Sequence, residues 1–253
     1  MSEITYLGGL HAVQSAVRYD ATRVVEVWVD KRRRDARLQR LRSQLESLDC
    51  VVHEAESKTL KKLLPDVPHQ GVVIAYKGDA PLGADDLDSH LDGLDHEAFL
   101  LILDQVQDPH NLGACLRTAD AAGVDAVIAP KDRAAGLTPV VHRVSAGAAQ
   151  TVPFFQVTNL ARTLRALRDR GVWLIGAADE AEQSLYQFDF KGPVGICMGA
   201  EGKGLRRLTR EHCDALISIP MTGQVESLNV SVATGVVLYE ALRQRRALTA
   251  GQA

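Results

Sequence analysis

Apolar residues fall into two patterns along this chain. Short continuous apolar runs occupy 99–103, 124–129, 172–175, 194–198 and 216–219. Runs of that length read as strands buried on both faces. Between them the apolar positions step by three and four, as in Leu112, Cys115, Leu116 and Ala119, and again in Leu160, Leu164 and Leu167. A third set is Val230, Ala233, Thr234, Val237, Leu238 and Ala241. Each set describes a helix with one buried stripe, and Gly171 closes the second as a C-cap. Alternation of strand and helix over 98–253 predicts a mainly parallel α/β sheet covered on both faces.

Residues 1–76 carry a smaller version of the same alternation. The segment 24–29 (VVEVWV) reads as a strand, and 35–48 as a helix with Leu38, Leu41, Leu45 and Leu48 on one side. Short strands follow at 51–52 and 72–75, the last preceded by a turn at His69-Gln70-Gly71. The segment 77–97 breaks both patterns. It is rich in Asp, with Pro81 and three glycines, which marks a domain boundary; its Leu82, Leu87, Leu91 and Leu94 are spaced to form a short docked helix.

Composition narrows the class. The chain has 253 residues, 46% hydrophobic and 24% charged, enough for one large or two modest globular domains. No apolar run reaches the roughly 18 residues that span a bilayer, and the first eleven residues lack a basic-then-apolar signal pattern, so a soluble, cytoplasmic protein is expected. The four cysteines, Cys50, Cys115, Cys197 and Cys213, show no metal-ligand spacing, so free thiols and no metal are expected. The net charge of −3 is unevenly placed: +2 over 1–76, −6 over 77–97 and +1 over 98–253. Steering of a polyanion depends on local patches, so this total does not exclude RNA. The run Lys31-Arg32-Arg33-Arg34, with Arg37, Arg40 and Arg42, is either a solvated helix face or a phosphate-binding patch.

Three stretches carry candidate chemistry. In 103–124 (LDQVQDPHNLGACLRTADAAGV) a strand gives way to a turn, Asn111 is placed to cap the following helix, and Arg117 lies off its apolar stripe. Gly113 in the first turn costs about 1 kcal/mol of helix stability against alanine, which points to a close approach to the backbone. In 195–205 (GICMGAEGKGL), Lys203 precedes Gly204 where a phosphate-binding loop needs Ser or Thr, and there is no GxGxxG, so neither a nucleoside triphosphate nor a dinucleotide is expected. Glycines after a strand still allow backbone groups to reach a ligand at the carboxyl edge of a sheet. In 219–242 (IPMTGQVESLNVSVATGVVLYEAL) a polar loop opens onto the last helix, with Ser227 and Asn229 both suited to its start.

Taken in this order, NLGACLRTA, GAEGKGL and IPMTGQVESLNVSVA closely resemble the three signatures of the SpoU/TrmH group of SPOUT methyltransferases, and the N-terminal segment with its HQGVV resembles the small RNA-binding domain those enzymes carry. The sheet pattern alone would give an unknotted doubly wound fold. The resemblance instead implies an α/β architecture in which a trefoil-knotted parallel-sheet methyltransferase domain (98–253) follows a small N-terminal α/β RNA-binding domain (1–76) and an acidic linker (77–97). It implies transfer of a methyl group from S-adenosylmethionine to a ribose 2'-hydroxyl of large-subunit rRNA, on a guanosine, by a homodimer whose last helix lies in the interface through Val236, Tyr239 and Leu242. Gly199, Ile219 and Leu228 then border the cofactor. By the same resemblance Arg117 is expected to bind a phosphate and stabilise the developing alkoxide, Asn111 and Asn229 to orient Arg117 and the ribose, Glu201 to pair with an arginine, and Ser227 to belong to the same polar set. Asn111 and Ser227 are equally suited to structural capping. The same reaction on tRNA, and a non-catalytic RNA-binding assembly factor, stand as alternatives.

Overall fold

The computed structural model describes residues 4–78 and 82–250; Asp79, Ala80 and Pro81 of the expected linker lie outside them. The chain forms two compact units, one of Met1–Ala80 with Leu137–Thr151, the other of Pro81–Gly136 with Val152–Ala253.

The first unit opens with β1 (Ile4–Gly8) and α1 (Leu10–Asp20), continues through β2 (Val24–Asp30), α2 (Ala36–Glu46), β3 (Val51–Ala55) and α3 (Ser57–Leu63), and returns along β4 (Val72–Lys77). Its strand order is β1-β4-β2-β3, with β4 antiparallel to both neighbours and β2 parallel to β3. Alternation along β4 divides the core. Val72, Ile74 and Tyr76 join Val13 of α1 and Leu38, Leu41 and Leu45 of α2, whereas Val73 joins Leu60 and Leu64 around α3. Asp35 caps α2 by accepting from the Leu38 amide, so that helix starts where the acidic side chain can satisfy a free donor. The turn before β4 holds Gln70 and Gly71 at φ 49 and 88. Successive left-handed residues here bring the His69 ring back to accept from the Gly71 amide at 3.1 Å.

In the second unit α4 (Ala84–Asp92) precedes β5 (Phe99–Leu103), α5 (Pro109–Ala122) and β6 (Ala126–Pro130). The acidic segment therefore does contain a short helix: Leu87 is buried in the core, with Leu82, Leu91 and Leu94 packed against it. Two short helices, α6 (Pro139–Val144) and α7 (Ala148–Thr151), belong to the first unit. The chain then gives β7 (Phe154–Val157), α8 (Leu160–Asp169), β8 (Trp173–Ala177), β9 (Val194–Met198), α9 (Arg207–His212), β10 (Ala215–Ile217) and α10 (Val230–Ala250). All six strands are parallel, in the order β10-β8-β9-β5-β6-β7. One face of β5 (Leu100, Ile102) packs with Leu160, Leu164 and Leu167 of α8. Leu101 and Leu103, equally buried, alternate to the other face, where α10 lies against α5 and β9. Strand order reverses between β5 and β9, and open parallel sheets bind ligands outside the carboxyl ends at such a point.

His142 of α6 is buried, with its Nδ1 3.2 Å from Gln150 Nε2. Burial pushes its pKa down to about 4, from an ordinary 6.5. The unfolded chain takes up this proton near the ordinary value and the folded chain only near the lower one, so stability is lost as pH falls through that window, by up to about 3 kcal/mol. Urea unfolding between about pH 7 and about pH 4.5 should show that loss, and His142→Gln should flatten it relative to the wild type. Equal slopes for the two proteins would remove His142 as a source of acid sensitivity.

Candidate functional site

The site is built from the ends of β5, β9 and β10 and the start of α10. At the end of β5 the first polar residue, Asp104, is fully buried. Its amide continues the β5–β9 ladder by donating to Met198 O at 2.8 Å. Its carboxylate accepts from the Arg206 amide at 2.9 Å and from Arg206 Nε at 2.6 Å. Arg206 is where the glycine-rich loop after β9 ends, so this pair fixes the exit of the loop to the strand beside its entrance. Gln105, next in the chain, sits at φ 65, a left-handed conformation unusual for a residue with a side chain.

The loop itself, 199–205, folds back on its own backbone. Ala200 N donates to Gly204 O at 3.1 Å and Gly204 N to Ala200 O at 2.9 Å, with Gly202 and Gly204 at φ 70 and 61. A Cβ on Gly199 would lie 2.1 Å from the Gly204 carbonyl carbon. The close approach that requires glycine at 199 is thus made by the loop's other arm.

Across from this loop the chain leaves β10 through Pro220 and returns to α10 by 221–229. Between the two loops and the end of β8 lies a cavity of about 410 Å³. Ile217, Ile219, Met221, Leu228, Val230 and Ala233 give it apolar walls, and Gly199 and Ser227 border it too. At its rim Glu180 and Arg210 form an ion pair. Hydrogen bonds from its own amide and from Arg210 hold the Glu180 carboxyl below the usual carboxylate range.

Beside the cavity the three conspicuous stretches meet in a ring of side chains. Asn111 Nδ2 donates to Glu201 Oε1 at 3.0 Å. Asn229 Nδ2 donates to Asn111 Oδ1 at 3.0 Å and also to Glu201 Oε1. Asn229 Oδ1 accepts from the Ser231 amide at 2.9 Å, which caps α10. Several expectations change here. Asn111 does not cap α5: Asp108 does, accepting from His110 N at 2.8 Å, because Pro109 fills the first helical position and moves the start upstream. Asn111 is instead a buried side chain inside the helix. Of the two candidates for the start of α10, Asn229 is the cap, and Ser227 is an exposed loop residue. Glu201 takes amide donors in place of an arginine. Asn111 and Asn229 are spent on each other and on Glu201, so neither holds Arg117, which is exposed and without a hydrogen bond or ion pair among the described residues.

Asp104, Arg206, Ala177 and Met221 were missed as site residues by the sequence reading. For Asp104 a signal existed, a carboxylate ending the otherwise apolar run FLLIL. In the first unit the basic run is partly neutralised: Lys31 and Arg32 face Glu56, Arg33 pairs with Asp35, and Arg42 with Glu46 and Glu54. Arg34 and Arg37 are exposed and lack a carboxylate partner among the described residues. The four cysteines are free thiols. Among the described residues no cluster of three His, Cys, Asp or Glu side chains is placed to hold a metal, and no helix is long and apolar enough to cross a membrane.

The second unit thus joins a parallel α/β sheet, a cavity at its carboxyl edge, a folded-back glycine loop and an amide–carboxylate ring. Residues 98–239 match the SpoU rRNA Methylase family, and residues 6–81 match the RNA 2'-O ribose methyltransferase substrate-binding domain. The chain belongs to the SpoU rRNA methylase family. It is 54% identical over 250 residues to the 23S rRNA (guanosine-2'-O-)-methyltransferase RlmB of Ralstonia nicotianae, covering 99% of this chain and 100% of that one. To the RlmB of Shewanella oneidensis it is 54% identical over 238 residues, covering 94% and 96%. Among solved structures it is similar to the SpoU methyltransferase AviRb from Streptomyces viridochromogenes in complex with the cofactor AdoMet, with a TM-score of 0.81 and 25% identity over 95% of this chain and 90% of that one.

Asp104→Ala removes both acceptors of Arg206 and leaves a backbone donor unpaired, so a loss of about 1–3 kcal/mol in urea unfolding is expected. Arg206→Gln keeps the backbone contact but leaves the buried Asp104 carboxylate without its counter-ion, so it should cost at least as much. If Arg206→Gln proves as stable as the wild type, the backbone bond and not the guanidinium matches Asp104.

Proposed function

We propose that this protein transfers a methyl group from S-adenosylmethionine to the ribose 2'-hydroxyl of a guanosine in 23S rRNA. The observation that carries the reading is the meeting of Asn111, Glu201 and Asn229, one from each conspicuous stretch, beside an apolar cavity at the carboxyl edge of the sheet. Near-full-length similarity to RlmB proteins supports the rRNA substrate over tRNA. With that substrate the protein works in the cytoplasm.

The cavity residues suit the cofactor. Ile219 and Leu228 offer apolar walls to an adenine ring, and the backbone of the 199–205 loop offers amides and carbonyls to its polar parts. The cofactor would supply a methyl group on a sulfonium centre. The acceptor hydroxyl must be held in line with it, and the negative charge that develops on oxygen must be stabilised. Arg117 does the second job as a cation bound to the neighbouring phosphate. A guanidinium stays protonated in proteins, which argues against its acting as a base. Asn111, Glu201 and Asn229 keep α5, the glycine loop and α10 in register around the ribose, and Ser227 offers a hydroxyl at the cavity border. The trefoil knot is part of this reading, supported by the chain's membership of the SpoU rRNA methylase family.

A homodimer is also proposed. Val232 and Tyr239 of α10 are 53% and 51% exposed, with Val236 between them at helical spacing, a face that one core stripe does not need. A second copy covering it is consistent with an Arg117 that has no partner among the described residues. In the first unit, residues 1–76 form the RNA-binding part, with Arg34 and Arg37 among the exposed cations available to phosphate.

Mapping 2'-O-methyl groups in rRNA from wild-type and deletion cells tests the proposal: one guanosine mark in 23S rRNA should vanish. An unchanged rRNA map with a lost tRNA mark would transfer the reaction to tRNA, and no lost mark at all would favour an assembly factor. Arg117→Ala should lower methyl transfer by about 10²–10³-fold with cofactor affinity within about twofold, and Arg117→Lys should recover little because a point charge lacks the guanidinium fork. Near-normal turnover by the alanine variant would take Arg117 out of the chemistry. Gly199→Ala should push the loop arms apart and raise the calorimetric Kd for S-adenosylmethionine by more than about tenfold, roughly 1.4 kcal/mol. Unaltered affinity in a folded variant would place the cofactor elsewhere.

A further inference from the structure

Strand β8 has an opening at each end. Ala177, its last residue, borders the cavity described above. Trp173, its first, stands in a separate open cleft of about 530 Å³, lined also by Arg165, Arg168, Asp169, His212 and Asp214. The indole is 59% exposed, while the next two residues, Leu174 and Ile175, are completely buried. The strand is thus anchored without it, and a large aromatic face is left to solvent at the rim of a concave surface.

The polar groups around that face are partly committed. Asp214 Oδ2 accepts from Leu174 N at 2.8 Å, and Asp214 Oδ1 pairs with Arg168 Nε at 3.1 Å. Arg165 and Asp169 are exposed and make no hydrogen bond or ion pair among the described residues. Two arginines stand against two aspartates in the lining, so their formal charges balance. That balance disfavours a bare phosphate. It suits an uncharged planar group with both donors and acceptors along its edge, stacked on an aromatic ring.

We infer that this cleft takes an unpaired base of the RNA substrate, stacked on Trp173 with its edge toward Arg165 and Asp169. The inference rests on the RNA methyltransferase reading. Four residue steps along β8 are about 13 Å, so the base belongs to a nucleotide other than the one methylated. Its contribution is to RNA affinity and not to the chemical step. Stacking is indifferent to which base is present, because every base has a π face.

The chain has two tryptophans, so Trp28→Phe leaves Trp173 as the sole indole reporter. Its emission should be quenched saturably by single-stranded oligo(A) and by an unmodified 23S rRNA transcript. Should that variant fold poorly, the difference between wild type and Trp173→Phe reports the same signal. Trp173→Ala should raise KM for the transcript by roughly 5- to 100-fold, with kcat and S-adenosylmethionine affinity unchanged and Trp173→Phe largely restored. No quenching at RNA concentrations that saturate filter binding, or a wild-type KM for Trp173→Ala, would overturn the inference. Emission that changes on diluting the protein but not on adding RNA would place a second copy over Trp173 and overturn it too. If the wild type methylates no transcript, the functional reading fails, while the oligo(A) titration still decides whether a base stacks here.

Discussion

A carboxylate with no exposed surface at the end of a hydrophobic strand is the constraint on which the catalytic half of this protein turns. Taking Asp104 out of water costs several kcal/mol unless its oxygens are matched. Two bonds from one residue, the Arg206 amide and guanidinium, do the matching. Because Arg206 lies after the glycine loop, the pairing is possible only when that loop has closed. Because the Asp104 amide also extends the β5–β9 ladder, closure is tied to the register of the two central strands. The loop that borders the cavity is therefore set by the sheet itself.

From that fixed loop the rest of the site follows by polar satisfaction. Glu201 projects from it, and its Oε1 collects donors from Asn111 on α5 and Asn229 at the head of α10. Asn229 serves twice, since its Oδ1 also caps α10. A shift of the last helix by one residue would lose its cap and the ring together. Along the same two helices Cys115 Sγ lies 3.6 Å from Thr234 Oγ1, and burial raises the thiol's pKa to about 11, so it is a protonated packing group and not a nucleophile.

Much of this architecture was legible because buried parallel strands write themselves as short apolar runs. The run at 99–103 coincides with β5 and that at 194–198 with β9, and the stripes in 112–119 and 160–167 are α5 and α8. Several elements were not foreseen, each for its own reason. β7 is only four residues, Phe154–Val157, with a glutamine in it; β1 runs straight into α1 through Gly9 at φ 95, with no polar separator; and α6 and α7 are too short to show a period. Strand ends also moved. The run at 216–219 yields a strand ending at Ile217, because Ser218 turns to bond Gln183 and Pro220 cannot continue a ladder. At the site, residue types were legible and partners were not. Asn, Asp and Ser look alike as caps, and only geometry gave the cap of α5 to Asp108 and left Asn111 for the ring.

The glycine loop shows how the physical reason for a motif can be misread. A glycine after a strand at a sheet's carboxyl edge invites the explanation that a ligand needs the space. At Gly199 the space is already taken, by the carbonyl of Gly204 in the same loop. At Gly202 and Gly204 no heavy atom would meet an added Cβ within 4 Å, so what those positions require is the left-handed backbone. One glycine is thus demanded by sterics and two by dihedral angle, and all three serve to fold the loop back before any ligand arrives. A loop formed that way presents its amides and carbonyls in a fixed arrangement. Cofactor binding then need not supply the ordering free energy, which can reach about 1–2 kcal/mol per residue. For the proposed cofactor site, preorganisation by Asp104, Arg206 and three glycines is in this sense part of the affinity, though none of those residues has to touch the cofactor through a side chain.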